Sequence, residues 1–284
     1  VAFLNLGVLR RKQGRKIEAI ELFTRALRIE PQYSQALRNL GLISLGEGDP
    51  TIAVDAFTKL IEKGEPETGN LGFLALAKQS ICDWNDIDAL RDRLRNSIQE
   101  DMDVVDPFSL LAISEDAGLQ KIAAIRSNSS EYPQTSDPLW TGEEYSHDRI
   151  RVGYLSADYH EHATSYLMAE LFESHDKSQF ETYAISFGKH SDGSMRQRLV
   201  KAFDHFIDVN DKTDHEAAEL MRELEIDIAI DLKGYTADAR PGILSHRPCP
   251  VQAQYLGFPG TMGAPYIDYI IADDVIIPES HEQY

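Results

Sequence analysis

Apolar residues recur at helical spacing over residues 1–63, and one arrangement of them is written twice. Asn5-Leu6-Gly7 returns 34 residues later as Asn39-Leu40-Gly41, and the same shift relates Phe23 to Phe57. Gly14 and Ala19 return in the same way as Gly48 and Ala53. Small residues at fixed offsets let antiparallel helices approach closely, while Leu and Phe fill the space between helix pairs. The pattern predicts stacked helix pairs.

A period of 34 residues is that of the tetratricopeptide repeat, and Pro31 lies where the first unit should end. Arrays of such helix pairs form a concave surface for peptides. The repeats therefore predict a protein partner for whatever follows them.

Residues 70–126 keep helical spacing but lose the 34-residue register. Trp84 and the run Ile87, Leu90, Leu94 and Ile98 form an amphipathic stripe, which is more often core than a binding site. Asp106-Pro107 predicts the start of a short helix, and residues 119–125 predict another. Residues 127–138 are polar and contain proline, so we expect a linker there.

From Arg149 onward, strand patterns alternate with helix patterns. Strands are predicted over 150–155, 180–187, 206–209, 226–232, 251–256 and 269–272, and helices over 165–172, 195–203 and 214–224. The alternation predicts a parallel, doubly wound α/β sheet whose ligand crevice lies at the carboxyl ends of the strands.

Charge is distributed unevenly along the chain. The net charge is −19, yet residues 1–63 hold 10 Lys and Arg against 7 Asp and Glu, so the acidity lies in residues 64–284. Because this acidic part would repel a phosphate backbone, we expect no nucleic-acid partner. The simplest reading of the charge is a solvated surface.

Two cysteines in 284 residues argue against a disulfide framework and favour a reducing, cytoplasmic location. No signal peptide and no run of 18 apolar residues occurs, so we expect no membrane association. The chain begins with Val1 inside a predicted helix, and we expect it to be a piece of a longer protein.

His162 is the first candidate for chemistry, since it follows the first predicted strand and precedes a predicted helix cap at Thr164 or Ser165. A helix amino end disfavours imidazolium, so a neutral imidazole could accept a proton there. The competing interpretation is a loop histidine that bonds only to backbone. A metal at His160 and His162 is disfavoured, because no further Cys or His has matching spacing. His205, taken alone, is expected to be structural.

The glycine-rich segment 257–264 follows a predicted strand. Its glycines could bring backbone amides close to a sugar or a diphosphate, or could form an ordinary turn. Neither dinucleotide nor P-loop fingerprint occurs. The acidic pairs Asp101/Asp103 and Asp273/Asp274 are typical of metal–diphosphate sites, but we expect them to be surface residues.

These segments resemble the catalytic region of O-linked N-acetylglucosamine transferases. The resemblance is carried by 149–158, 162–165, 205–208, 234–236, 239–240, 247–248 and 256–261. Bacterial SPINDLY-like relatives share the surroundings of Cys82-Asp83-Trp84 and of Asp106-Pro107-Phe108. The resemblance covers nearly the whole chain, and the matching segments occur in the right order.

The resemblance implies a metal-independent, inverting transferase of the GT-B fold, with an all-α tetratricopeptide superhelix ahead of an α/β Rossmann-like lobe. The predicted domains are repeats over 1–66, a helical linker region over 67–147 and the first, incomplete catalytic lobe over 148–284. UDP-N-acetylglucosamine would be the donor, with no cofactor, and Ser or Thr of a protein the acceptor.

The resemblance also assigns residues. His162 matches a proposed general base. The substrate side would be lined by His205, Tyr235, Arg240, Leu256, Gly257, Pro259, Gly260 and Thr261. Two departures stand out: Ala237 replaces a lysine of animal members, and the second lobe, with its uridine site, is missing. The fragment alone should therefore be inactive. A non-catalytic repeat scaffold, or a transferase using GDP-fucose, remains an alternative.

Overall fold

The computed structural model describes residues 1–64, 69–100 and 105–284, which form two compact units, residues 1–123 and 124–284. The first unit is helical. Its helices are α1 (Ala2–Lys12), α2 (Lys16–Ile29), α3 (Ser34–Glu47), α4 (Pro50–Glu62), α5 (Asn70–Ser80), α6 (Ile87–Gln99) and α7 (Pro107–Leu111), followed by the start of α8 (Ala117–Glu131).

The predicted boundary at residue 66 falls outside the described residues, and the three-domain division stays a prediction. No helix in the described ranges combines the length and apolarity needed to cross a membrane.

The 34-residue repeat corresponds to two helix pairs, α1 with α2 and α3 with α4. In the first pair Gly7 lies against the ring of Phe23, and in the second Gly41 lies against the ring of Phe57. Both rings are fully buried, as are Ala19 and Ala53. The repeated small and large residues are therefore the packing contacts of the helix pairs, and the repeat prediction is confirmed.

The amphipathic stripe of α6 lies in the core of this unit, as predicted: Ile87, Leu90, Leu94 and Ile98 are all buried. Trp84 does not belong with them, because it precedes the helix and is 57% exposed. Asp106 caps α7 through its carboxylate, which accepts a hydrogen bond from the backbone N–H of Ser109 at 2.7 Å.

The linker prediction for residues 127–138 is wrong in its first part, because α8 continues to Glu131. Ser127 and Asn128 are buried, and the Asn128 amide donates a hydrogen bond of 2.7 Å to the hydroxyl of Tyr266. Polar composition here reflects a buried hydrogen bond to a residue far along the chain, which local pattern does not reveal.

The second unit is built on a six-stranded parallel sheet. Its strands are β1 (Ile150–Ser156), β2 (Phe180–Ser186), β3 (His205–Asp208), β4 (Ile228–Asp231), β5 (Val251–Tyr255) and β6 (Tyr269–Ile271). Its helices are α9 (Ala163–Glu173), α10 (Ser194–Ala202), α11 (Asp214–Glu223) and the short α12 (Gly242–Ser245), with a 3-10 turn at Glu279–His281. Every predicted strand is present, which confirms the α/β fold.

The strand order is β3-β2-β1-β4-β5-β6, so the chain first builds outward from β1 and then returns to its other side. β1 and β4 are neighbours in parallel register, with Leu155 opposite Asp231. The change of direction between them is a topological switch point, where loops on the two sides diverge and leave a crevice at the carboxyl ends.

β6 forms one border of the sheet in the described part of the chain, and it pairs with β5 alone. Its three residues are apolar or aromatic and are 44–64% exposed.

Candidate active site

The loops that follow β1 and β4 carry most of the polar residues at the switch point. β1 ends at Ser156 and leads through Asp158 to His162, while β4 ends at Asp231 and leads to Lys233. Because the two strands are parallel neighbours, both loops leave the sheet at its carboxyl edge. This edge is where chemistry is expected in a doubly wound sheet.

His162 is the N-cap residue of α9, and its Nδ1 accepts a hydrogen bond of 3.2 Å from the backbone N–H of Thr164. The helix therefore begins earlier than predicted. Thr164 and Ser165 are buried in its first turn and are not caps. An imidazole nitrogen performs the task usually given to a Ser or Asp oxygen. The His162 side chain is still 42% exposed, so part of the imidazole is accessible to a ligand.

An ion pair lies beneath His162. The Lys233 ammonium donates to Asp158 Oδ2 at 2.7 Å, and both residues are buried. The same Oδ2 atom is 3.5 Å from Nδ1 of His162. Buried charges of opposite sign are kept only when they are paired, so this contact fixes the two loops to each other.

Asp231 holds the backbone of the Lys233 loop. Its carboxylate accepts hydrogen bonds from the N–H groups of Lys233 at 2.9 Å and Gly234 at 3.0 Å. Burial raises the pKa of Asp231 above its usual value, and the two backbone donors and the Lys233 charge oppose that effect. The Lys233 side chain is thus aimed at Asp158 from a loop that is itself anchored.

The glycine-rich segment lies against the same loop. A Cβ on Gly257 would come within 2.0 Å of the carbonyl oxygen of Leu232 and 3.3 Å of Cα of Lys233. Leu256, just before it, has φ of 69°, a left-handed conformation that is unfavourable for a leucine, and its side chain is 38% exposed. Strained backbone of this kind is concentrated at functional sites.

Tyr235 contacts the glycine-rich segment through both its hydroxyl and its ring. Its hydroxyl donates to the carbonyl oxygen of Met262 at 2.6 Å, and its ring packs edge-on against Phe258 at 5.4 Å between centroids. Burial raises the pKa of Tyr235 above its ordinary value, so the phenol stays protonated and remains a donor. Pro259 is exposed, while Gly260 and Thr261 are half-buried beside it.

Arg240 contacts residues that follow β3. Its guanidinium donates to Asp214 at 2.6 Å and to the backbone carbonyls of Val209 at 3.0 Å and Lys212 at 2.8 Å. These contacts tie the segment before α12 to the segment before α11. Arg240 therefore clamps two parts of the chain together.

His205 lies apart, because it opens β3 and pairs in register with Tyr183, in the middle of β2. Its Nε2 is 2.8 Å from Glu181, and its ring stacks on Tyr183 at 4.4 Å. The strand must run on to Asp208 before reaching the carboxyl edge. The structure thus brings His162 together with Gly257 through the Lys233 loop, and it does not bring His205 into that cluster.

Sequence reasoning missed Asp158 and Lys233 as a pair, since 75 residues separate them. A usable signal existed: each is a charged residue within two positions of the end of a buried strand. Of the acidic pairs, Asp273 and Asp274 are exposed, and Asp101 and Asp103 lie outside the described residues. Across residues 1–64, 69–100 and 105–284, no group of three or more His, Cys, Asp or Glu is arranged to hold a metal ion.

Comparison with known families gives two matches. The profile described as Glycosyl transferase family 41 matches residues 81–284, and the profile described as Tetratricopeptide repeat matches residues 1–33. The first match contains the whole sheet and every residue of the cluster above.

Among curated relatives, the chain is 31% identical over 215 residues to a protein of Arabidopsis thaliana named probable UDP-N-acetylglucosamine--peptide N-acetylglucosaminyltransferase SEC. It is 32% identical over 215 residues to the UDP-N-acetylglucosamine--peptide N-acetylglucosaminyltransferase of Caenorhabditis elegans. Each alignment covers 70% of this chain but only 22% and 19% of the relatives. The chain thus spans about a fifth of the length of these proteins.

Among solved structures, an O-GlcNAc transferase mutant of Thermobaculum terrenum superposes with a TM-score of 0.71. The superposition covers 99% of this chain and 55% of that chain, at 23% sequence identity. At this identity the likeness establishes the fold.

Proposed function

Because the chain belongs to glycosyl transferase family 41, we propose that it is part of an inverting protein O-glycosyltransferase. The donor is UDP-N-acetylglucosamine, and the acceptor is a Ser or Thr hydroxyl of a protein. The observation that carries the proposal is the family match over residues 81–284, which includes the cluster of His162, Lys233 and Gly257 at the switch point.

The reaction requires an acceptor hydroxyl held in line behind the anomeric carbon, a route for its proton and stabilisation of the leaving diphosphate. The strained Leu256–Gly257 turn and His162 supply positioning, which is the largest contribution available to one lobe. His162 meets the substrate through the exposed side of its imidazole, where a hydrogen bond or a proton transfer contributes on the order of 100-fold or more.

Leaving-group stabilisation needs cations or helix amino ends aimed at the diphosphate. In this lobe the Lys233 ammonium is committed to Asp158 and the Arg240 guanidinium to Asp214, so neither is offered to a ligand. We therefore propose that the diphosphate is bound by a second lobe of a GT-B enzyme, in a longer protein that contains this chain. The 284 residues alone should not catalyse transfer.

The tetratricopeptide helix pairs give the acceptor protein a place to bind. The repeated part is short, and three or more repeats are usual in a stable array, so we expect weak peptide binding by this chain. We propose that the enzyme needs no cofactor or metal beyond the nucleotide sugar, acts in the cytoplasm and binds neither nucleic acid nor membranes.

A non-catalytic scaffold is the main alternative from another class, and GDP-fucose is an alternative donor. The SPINDLY relative of Oryza sativa, 30% identical over 155 residues, is itself named a probable UDP-N-acetylglucosamine--peptide N-acetylglucosaminyltransferase, which favours the first donor over GDP-fucose. Both alternatives can be separated from the proposal by one assay.

The test is transfer by the longer protein to an acceptor protein, followed by mass spectrometry, with UDP-N-acetylglucosamine or GDP-fucose as donor and with or without a chelator. The expected result is a gain of one N-acetylhexosamine on Ser or Thr that persists with the chelator. A deoxyhexose from GDP-fucose alone would replace the donor assignment. Peptide binding with no transfer from either donor would establish the scaffold.

A further inference from the structure

The Lys233–Asp158 ion pair lies directly beneath the nitrogen of His162 that caps α9, and this arrangement has a consequence for the imidazole. Nδ1 of His162 has two polar neighbours of opposite kind. The backbone N–H of Thr164 is a donor at 3.2 Å, and Asp158 Oδ2 is an acceptor at 3.5 Å. A neutral imidazole carries one proton, so Nδ1 can satisfy only one of these neighbours.

The Thr164 contact has hydrogen-bond geometry, whereas the Asp158 contact is longer. Asp158 Oδ2 is already occupied by the Lys233 ammonium at 2.7 Å. The positive charge of Lys233 thereby weakens the electrostatic attraction between the Asp158 carboxylate and a proton on Nδ1. The amino end of α9, which carries partial positive charge, acts in the same direction. His160 is a further ionisable neighbour, and its ring centroid lies 5.6 Å from that of His162.

We infer that Lys233 is a positioning residue that sets the tautomer of His162: by holding Asp158, it leaves Nδ1 to accept from Thr164 and places the imidazole proton on Nε2. In this form His162 presents a hydrogen-bond donor on its exposed side. It can therefore bind a hydroxyl or diphosphate oxygen, but it cannot take a proton at Nε2 without changing tautomer and breaking the cap.

The meaning of this assignment for catalysis rests on the proposed function, whereas the tautomer itself is a property of the chain. The test therefore uses the 284-residue chain labelled with nitrogen-15 and measures no transfer. Two-bond correlation spectra distinguish the Nε2–H and Nδ1–H tautomers of each histidine, and His162→Gln identifies the His162 signals. Spectra are recorded near pH 8.5, about two units above the ordinary histidine pKa of about 6.5.

In the wild-type chain the expected form is Nε2–H. In Lys233→Met the carboxylate of Asp158 has lost its cation, and His162 is expected to change to mainly Nδ1–H. The double variant Lys233→Met/Asp158→Asn removes both charges and is expected to return to Nε2–H. Lys177→Met, which removes another lysine paired with an aspartate in the same unit, is the matched control and should leave His162 unchanged.

Lys233→Met leaves an unpaired buried carboxylate and could unfold the lobe. In that case Lys233→Gln, which keeps a hydrogen-bond donor without the charge, is expected to give a mixture of the two tautomers. An Nδ1–H form in the wild-type chain would overturn the inference. So would an Nε2–H form that persists in folded Lys233→Met or, if that variant unfolds, in Lys233→Gln. None of these results depends on whether the longer protein transfers sugar.

Discussion

Gly41 on α3 faces the ring of Phe57 on α4 so closely that a Cβ at residue 41 would lie 2.8 Å from the nearest ring carbon. The same relation holds one repeat earlier between Gly7 and Phe23, at 2.5 Å. The glycine is thus the part of each repeat that allows the second helix to insert an aromatic ring against the first.

We predict that Gly41→Ala destabilises the helical unit by about 1–3 kcal/mol, because the added methyl group overpacks a core with no space for it. Gly46→Ala on the same helix is the control, since nothing lies within 4 Å of its would-be Cβ. There alanine should stabilise the helix by up to about 1 kcal/mol. Urea unfolding of both variants measures the difference, and equal midpoints would contradict the packing argument.

A second prediction concerns Gly257, whose would-be Cβ meets the carbonyl oxygen of Leu232 at 2.0 Å. The obstructing atom belongs to the backbone of Leu232 and cannot rotate aside as a side chain could. Gly257→Ala should therefore displace the segment that precedes Phe258 and lower the melting temperature. In the longer protein it should also reduce transfer.

Gly193→Ala is the control for Gly257→Ala. It has a clash of similar distance, 2.1 Å, but with the carboxylate of Glu161, which can move. We expect a much smaller loss of stability and activity. If Gly193→Ala proved as damaging as Gly257→Ala, the distinction between backbone and side-chain obstruction would be wrong.

A third prediction separates the two tasks of His162. In the longer protein, His162→Ala should lower transfer on the order of 100-fold while leaving nucleotide binding nearly unchanged. Since the imidazole also caps α9, the same change should cost about 1 kcal/mol of stability.

His162→Asn restores an acceptor for the Thr164 N–H and should recover the stability without recovering transfer. His160→Ala, two positions away, is the control and should retain activity. Steady-state kinetics with donor titration and thermal unfolding check both effects. Full activity in His162→Ala would remove His162 from the mechanism.

A fourth prediction concerns acid. Burial lowers the pKa of His175, with the Lys177 charge adding to the effect, and burial and then His215 lower the pKa of His246. The folded state therefore binds fewer protons than the unfolded chain, and stability falls as pH drops below about 6.5, the ordinary value. The loss of stability is complete once the pH lies below the lowered pKa values that His175 and His246 have in the folded state.

His175→Gln, which can still contact the Tyr154 hydroxyl that lies 2.8 Å from Nε2, should make the melting temperature less sensitive between pH 7 and pH 5. His190→Gln is the control, since its side chain is 75% exposed. The same pH dependence in both variants would show that burial of His175 is not the cause.

The sequence predicted the elements of the fold closely because they depend on local periodicity. Buried parallel strands such as β4 appear as short apolar runs, and the glycine–phenylalanine pairs repeat at a fixed distance. It predicted the site less completely. The position of Lys233 just after a buried strand marks it as a candidate for the carboxyl edge, but only the strand order places its loop beside that of Asp158.

The local sequence pattern also gave the wrong structural role for some polar residues. The polar residues after Ile125 predicted a linker, but Asn128 is buried in α8 against Tyr266. Thr164 and Ser165 have the composition of caps, yet His162 takes that position. In both cases a contact made by the folded chain overrides the preference of the residue type.

Strand β6 has a practical consequence for work with this chain. Its outer backbone groups have no strand beside them in the described residues, and its exposed side chains Tyr269, Ile270 and Ile271 carry no charge. Natural sheets usually protect such a border with lysine, proline or a bulge. We therefore expect strand-to-strand aggregation here in concentrated samples, and Ile270→Lys should help to keep the protein in solution for spectroscopy.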